Sequence, residues 1–285
     1  MPTISIRGME MPASPIRKLA PLADAAKQRG IHVFHLNIGQ PDLPTPQVAI
    51  DAIRNIDRKV LEYSPSAGYR SYREKLVGYY DKYNIKLTAD DIIITSGGSE
   101  AVLFSFMACL NPGDEIIVPE PAYANYMAFA ISAGARIRTI ATTIEEGFSL
   151  PKVEKFEELI NERTRAILIC NPNNPTGYLY TRREMNQIRD LVKKYDLFLF
   201  SDEVYREFIY TGSPYIRIGA LITKNKEIRD AVMKFCQARL SPPLIGQIAA
   251  EASLDAGEDY LRDTYDEYVE RRKCLIDGLN RIPGV

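Results

Sequence analysis

An α/β fold with a mainly parallel central sheet and crossover helices is what this sequence predicts, and two observations carry the prediction. From residue 46 onward, helical patterns alternate with short β-branched runs. Several of those runs lead straight into polar loops, and in open α/β sheets the carboxyl ends of the strands are where ligands bind. The expected strands are residues 92–95, 115–118, 137–141, 166–170, 197–201 and 217–223. Between them the helix signals are explicit. Thr45-Pro46 reads as a cap followed by a first-turn proline, and Thr181 with Glu184 forms a capping-box pattern ahead of a helix ending near Tyr195. The flanks differ from this middle. Residues 1–45 hold one amphipathic helix, opened by Ser14-Pro15 and closed by Gly30, then a short strand leading to GQPD; residues 258–280 read as one long charged helix.

Composition narrows the function. The 285 residues are 46% hydrophobic, enough for a sizeable core. Lys plus Arg number 36 against 37 for Asp plus Glu, so no net field draws the chain toward nucleic acid or an acidic membrane surface. Any ligand charge has to be met locally. The four cysteines, Cys109, Cys170, Cys236 and Cys274, lack the spacing of a disulfide framework or a zinc site, and no metal is expected. Cys170 lies in an apolar run and reads as inert core. The only histidines, His32 and His35, fall in the alternating segment IHVFHLNIG and read as strand side chains, which argues against chemistry built on histidine. No apolar run approaches the roughly 18 residues of a membrane span, and no charged head precedes an apolar stretch at the N-terminus. A cytoplasmic protein without membrane contact is expected.

Three segments carry chemistry. In TSGGSEA at 95–101, an apolar strand runs into Gly97, Gly98 and Ser99 before a helical pattern. Glycines let backbone approach an anion, a helix N-terminus aims free N–H groups at it, and the Ser99 hydroxyl can add a bond. The same turn alone is also a plain tight connection, and it has neither the lysine of a Walker loop nor the dinucleotide spacing. NPNNPTG at 171–177 follows the strand AILIC, and seven consecutive turn formers there point to a shaped binding loop. In FLFSDEVYREF, Asp202 stands at the carboxyl end of an apolar strand with Tyr205 three residues on. A carboxylate so placed can hold a proton on a ligand nitrogen, and for a pyridine ring that makes the ring an electron sink. Taken singly, Asp202 could equally be a helix cap and Tyr205 a packing residue.

In this order the three segments resemble the aspartate aminotransferase family of class I/II pyridoxal-phosphate-dependent enzymes, with the fold-type-I architecture. NIGQPD at 37–42, YSPSAGYRSYREKL at 63–76 and PEPAYANY at 119–126 extend the likeness from Ser14 to about Asn280. The resemblance implies a large cofactor-binding domain over 46–257. Residues 1–45 and 258–285 would then be parts of a small α+β domain whose C-terminal portion is missing. It also implies pyridoxal 5′-phosphate as cofactor, an amino acid and a 2-oxo acid as substrates, and a homodimer with shared sites.

Position by position, the family pattern gives Gly98 and Ser99 to the cofactor phosphate, with Gly97 shaping the turn and Arg217 clamping the same phosphate. Tyr123 stacks on the ring. Asn174 bonds the ring oxygen and helps with the substrate carboxylate, Asp202 pairs with the ring nitrogen, and Tyr205 pairs with the ring oxygen. Asp202 and Tyr205 are therefore the candidate catalytic residues. Gly39 lines the substrate side through its backbone, and Tyr63 reaches the phosphate of the neighbouring subunit.

The implied reaction is transfer of an amino group, with aspartate as the family's donor, to a 2-oxo acid through a lysine aldimine. Two alternatives share these motifs: a carbon–sulfur β-lyase on the same fold, and a non-catalytic effector-binding module. The sequence departs from the family in one place that matters. The Schiff-base lysine belongs between SDEVY and the arginine of RIGAL, yet YTGSPYI runs directly into RIGAL and no lysine occurs between Lys194 and Lys224. Lys224 and Lys226 lie beyond the arginine and are not assigned to the aldimine. Nor can any residue be given the arginine that pairs with the substrate α-carboxylate. The expectation is that segments of a longer chain are omitted, because deleting a central strand would leave exposed apolar edges.

Overall fold

The run TRAILIC at 164–170 buries its last five side chains completely, as a strand covered on both faces does. Around it, the computed structural model describes residues 2–14, 17–35, 39, 42–206 and 219–284. In chain order these form α1 (Ile6–Glu10), α2 (Ala20–Gln28), α3 (Gln47–Arg54), α4 (Arg70–Asp81), β1 (Ile92–Ile94), α5 (Gly98–Cys109), β2 (Glu115–Glu120), α6 (Asn125–Ala133) and β3 (Arg136–Ala141). They continue with α7 (Val153–Leu159), β4 (Thr164–Cys170), α8 (Arg182–Lys194), β5 (Phe198–Asp202), β6 (Ala220–Ile222), α9 (Lys226–Arg239), α10 (Leu244–Ser253) and α11 (Glu258–Leu279). Two units emerge. One comprises Met1–Leu43, Cys109–Ile169 and Asn173–Ser201; the other comprises Pro44–Ala108, Cys170–Pro172 and Asp202–Val285.

The first unit is built on a four-stranded sheet in the order β3-β2-β4-β5. Strand β2 pairs in parallel with both β3 and β4, and a register shift falls between Glu115 and Ile116. Ile117, Ile140, Phe156, Ile167, Ile169 and Leu191 form its core. Phe156 is wholly buried, and covering a side chain of that size contributes about 1.5–3 kcal/mol. Glu115 is buried at the start of β2 but not left bare, because Asn161 Nδ2 donates to it at 2.9 Å and Arg138 Nη1 at 3.4 Å.

In the second unit β1 pairs with β6 antiparallel, from Ile92 opposite Ile222 to Ile94 opposite Ala220. Among the described residues there are thus two sheets, a mainly parallel one and this antiparallel pair. Ile93, Phe104, Leu221, Val232 and Cys236 pack on one side, and Tyr72, Leu76, Ile92 and Ile94 form a second cluster.

Helix boundaries follow local chemistry. The Thr181–Glu184 capping box is complete, and α8 ends at Lys194 with Tyr195 as its C-cap. Ser14 Oγ accepts from Arg17 N at 3.3 Å at the start of the turn leading into α2. At α3 the reading shifts by one residue: Pro46 is itself the N-cap, its carbonyl accepting from Ala49 N at 2.9 Å, so Thr45 is outside the helix. The five-residue α1, capped by Ser5, is too short to show a period. The strand expected before GQPD does not form over 31–35. His32 and His35 are exposed there, and the His32 ring meets Phe34 edge-on at 4.4 Å.

Candidate active site

The 95–99 turn is shaped by Gly97, whose φ of +130° belongs to glycine. Thr95 Oγ1 donates to the Gly97 carbonyl at 2.9 Å, and the Thr95 amide donates to Gly219 at 2.9 Å. Gly219 is in turn pressed against the turn. A Cβ built on it would lie 2.2 Å from Gly97 Cα and 2.4 Å from Gly97 N. Helix α5 begins at Gly98, so the first-turn amides, starting with Gly98 and Ser99, have no acceptor within the helix. Ser99 is exposed. A Cβ on Gly97 would meet nothing within 4 Å, which leaves open space over an amide-lined turn.

Asp202 closes β5, and its carbonyl accepts from Asn171 N at 2.9 Å. That bond ties the end of β5 to the first residue of NPNNPTG. The Asp202 carboxylate accepts from Val204 N at 3.1 Å, which bends the chain into a turn carrying Tyr205, half-buried. Val204 then links this turn to the first one: its Cγ2 would lie 3.9 Å from a Cβ placed on Gly98. One residue beyond Tyr205, Arg206 lies over the rings of Tyr80 and Tyr83 at 5.4 and 4.9 Å and pairs with Glu203 at 2.9 Å. Burial pushes the Tyr80 phenol up to about 12; the charge of Glu203 adds to the rise and Arg206 opposes it.

Gly98, Ser99, Asp202 and Tyr205 therefore share the second unit, and the structure brings their two turns together. Tyr63 is in that unit as well, 77% exposed beside the exposed Val60 and Leu61. Asn174 and Tyr123 belong to the first unit. There the loop folds on Asn173, whose side chain accepts from the Thr176 amide at 3.1 Å and hydroxyl at 2.8 Å. Asn173 N–H donates to the Tyr178 carbonyl at 2.8 Å. Asn174 follows, half-buried, and the peptides Asn171-Pro172 and Asn174-Pro175 are cis. Tyr123 accepts from Asn125 Nδ2 at 2.7 Å and sets its ring edge-on to Tyr126. Gly39 is exposed, and Arg217 lies outside the described residues.

Sequence reasoning passed over Gly219 and Val204. The glycine of RIGAL offered a signal, being the one residue of that run without a side chain; Val204 offered none. Among the described residues no group of three or more His, Cys, Asp or Glu could hold a metal ion, and no helix is long and apolar enough to cross a membrane.

An amide-lined turn with open space above it and a carboxylate on the neighbouring turn suit a ligand with an anionic group at one end and a basic nitrogen at the other. The donor set fits a phosphorylated pyridine.

Comparison with known proteins identifies the family. The family model for aminotransferase class I and II matches residues 31–216. An aspartate aminotransferase of Thermotoga maritima is 30% identical over 98% of this chain and 80% of its own length. The solved structure of the Thermus thermophilus aspartate aminotransferase with maleate superposes with a TM-score of 0.90 at 28% identity, covering 98% of this chain and 81% of that one. An alanine aminotransferase from Pyrococcus furiosus gives 0.88 at 30% identity over 99% and 80%. With that sequence match over most of both chains and the same fold, the chain belongs to the class I and II aminotransferases, pyridoxal-phosphate-dependent enzymes of fold type I.

Proposed function

We propose that this chain binds pyridoxal 5′-phosphate through the Gly97–Ser99 turn and Asp202, and serves transfer of an amino group from aspartate to a 2-oxo acid. The observation that carries the reading is the approach of the two turns through Gly98 and Val204. When bound, the pyridine ring supplies an electron sink for charge developing at the substrate α-carbon. Asp202 would keep the proton on the ring nitrogen, a charge-assisted bond that an uncharged side chain cannot replace. The first-turn amides of α5 and the Ser99 hydroxyl would receive the phosphate, with Arg217 as a further cation. Tyr205 and Asn174 are proposed for the ring oxygen, Tyr123 for the ring face, and Gly39 with Asn174 for the substrate.

Tyr63 is proposed to act on the phosphate of a neighbouring subunit. The exposed apolar group Val60, Leu61 and Tyr63 supports a homodimer, because such a patch gains by being covered. Four widely scattered cysteines suit a reducing compartment, and the cytoplasm is proposed. For the donor, the names of the relatives from Thermotoga maritima and Thermus thermophilus support aspartate.

Moving the α-proton needs a base, and the family uses its anchoring lysine. This sequence has none between Lys194 and Lys224, so no described side chain is assigned that work. The test is an absorbance spectrum with added pyridoxal phosphate, before and after borohydride, followed by peptide mapping and an assay of aspartate with 2-oxoglutarate. Saturable binding of pyridoxal phosphate supports the cofactor reading and its absence overturns it, while a borohydride-reducible band reports a lysine aldimine. Oxaloacetate production supports the donor; turnover of other amino acids with none of aspartate rejects it.

A further inference from the structure

The geometry points to Arg239 as a positioning residue for the cofactor phosphate, acting by cancelling the charge of Glu100 in the first turn of α5. The inference rests on the cofactor reading above. Glu100 directly follows Ser99, and its side chain is only 18% exposed. An uncompensated carboxylate at that place would repel an incoming phosphate through poorly screened surroundings. Among the described residues it has two partners. Ser96 N–H donates to Oε2 at 2.9 Å, which holds the 96–100 turn, and Arg239 Nη1 donates to the same oxygen at 2.6 Å.

Arg239 is the last residue of α9, and its guanidinium is fixed from several sides. Nη2 donates to the Ser66 carbonyl at 3.0 Å, and the group lies 5.9 Å from the centre of the Phe104 ring. The next residue, Leu240, has a left-handed φ of +85°, which costs energy in a leucine, and Ser66 Oγ donates to its carbonyl at 2.7 Å. Arg239 Nε is buried with no acceptor among the described residues. A buried ion pair is a poor source of stability, and an orphan donor makes this one poorer. The arrangement does secure something else: the carboxylate keeps its bond to Ser96 while the first turn stays neutral and open to an anion.

The test uses the full chain and two probes that form no bond with lysine, pyridoxamine 5′-phosphate and pyridoxamine, by titration calorimetry. Arg239→Met should weaken the phosphorylated probe about tenfold, the effect of one uncompensated charge nearby, and leave pyridoxamine unchanged. Adding Glu100→Gln to that variant should restore most of the affinity. Glu100→Gln alone keeps the acceptor for Ser96 and should tighten the phosphorylated probe only, so the inference stays testable even if Arg239→Met does not fold. Equal weakening of both probes, no rescue by Glu100→Gln, or no tightening in the single variant would overturn the inference and leave the cofactor reading standing. A wild-type chain that binds neither probe overturns both.

Discussion

Helices α5 and α8 each carry a glutamate in the first turn, and they use it in opposite ways. At α8 the end is closed. Thr181 Oγ1 accepts from Glu184 N at 3.2 Å, while the Glu184 carboxylate accepts from Thr181 N at 2.7 Å, Leu150 N at 2.9 Å and the Tyr178 hydroxyl at 2.9 Å. At α5 the residue ahead of the helix is a glycine with no side chain to cap it, and Glu100 turns away to Ser96 and Arg239. A helix that serves only structure satisfies its own donors. One that receives a ligand leaves them unmet and balances its nearby charge from elsewhere in the fold.

The largest break in that contrast should come from Gly219→Ala. With backbone 2.2 Å from the new Cβ, the turn must move, and we expect about 1–3 kcal/mol of lost stability together with weakened binding of pyridoxamine phosphate. Chemical denaturation and calorimetry on the same variant measure the two effects. Next is Glu184→Ala, which removes the carboxylate half of the α8 capping box and the acceptor for Leu150 and Tyr178. A loss of about 1–2 kcal/mol is expected with ligand affinity unchanged, which separates the closed end from the open one.

Acid should reproduce part of that loss. Burial works to raise the Glu184 pKa, but bonds from the Thr181 hydroxyl and amide, the Leu150 amide and the Tyr178 hydroxyl outweigh it, and the net shift is downward. A carboxyl lowered on folding contributes stability above its unfolded pKa of about 4.3 and loses it as pH falls through the folded value. The gap in urea midpoint between wild type and Glu184→Gln should therefore hold constant near neutrality and close in acid below that point. A gap that widens in acid would reverse the sign. The smallest effect is expected from Ser99→Ala: about fivefold weaker binding of the phosphorylated probe, about 1 kcal/mol, with no change in the thermal midpoint because Ser99 is exposed.

What could be read beforehand was local. The capping box at Thr181, the buried run of β4 and the long α11 are written in consecutive residues, and the motif order led to the right family. Features that depend on distant partners could not be read. Glu100 gives no sign that it will meet Arg239, because nothing in either neighbourhood encodes the other. The antiparallel pairing of β1 with β6 is a choice of tertiary partner, since three buried isoleucines suit either direction. At 31–35 the alternation of apolar and polar residues was present, but the segment leaves its side chains largely exposed, and period alone does not make a strand.

Gly97 and Gly219 carry one last implication. Gly219 has no room for a side chain while Gly97's backbone stays where it is, and Gly97 holds a φ of +130° that favours glycine, so the two behave under mutation as a single locus split across the sequence. Screening substitutions at either should return glycine. A comparison of variants would then show two invariant positions and no covariation between them, although Gly219 is held by the turn that Gly97 shapes.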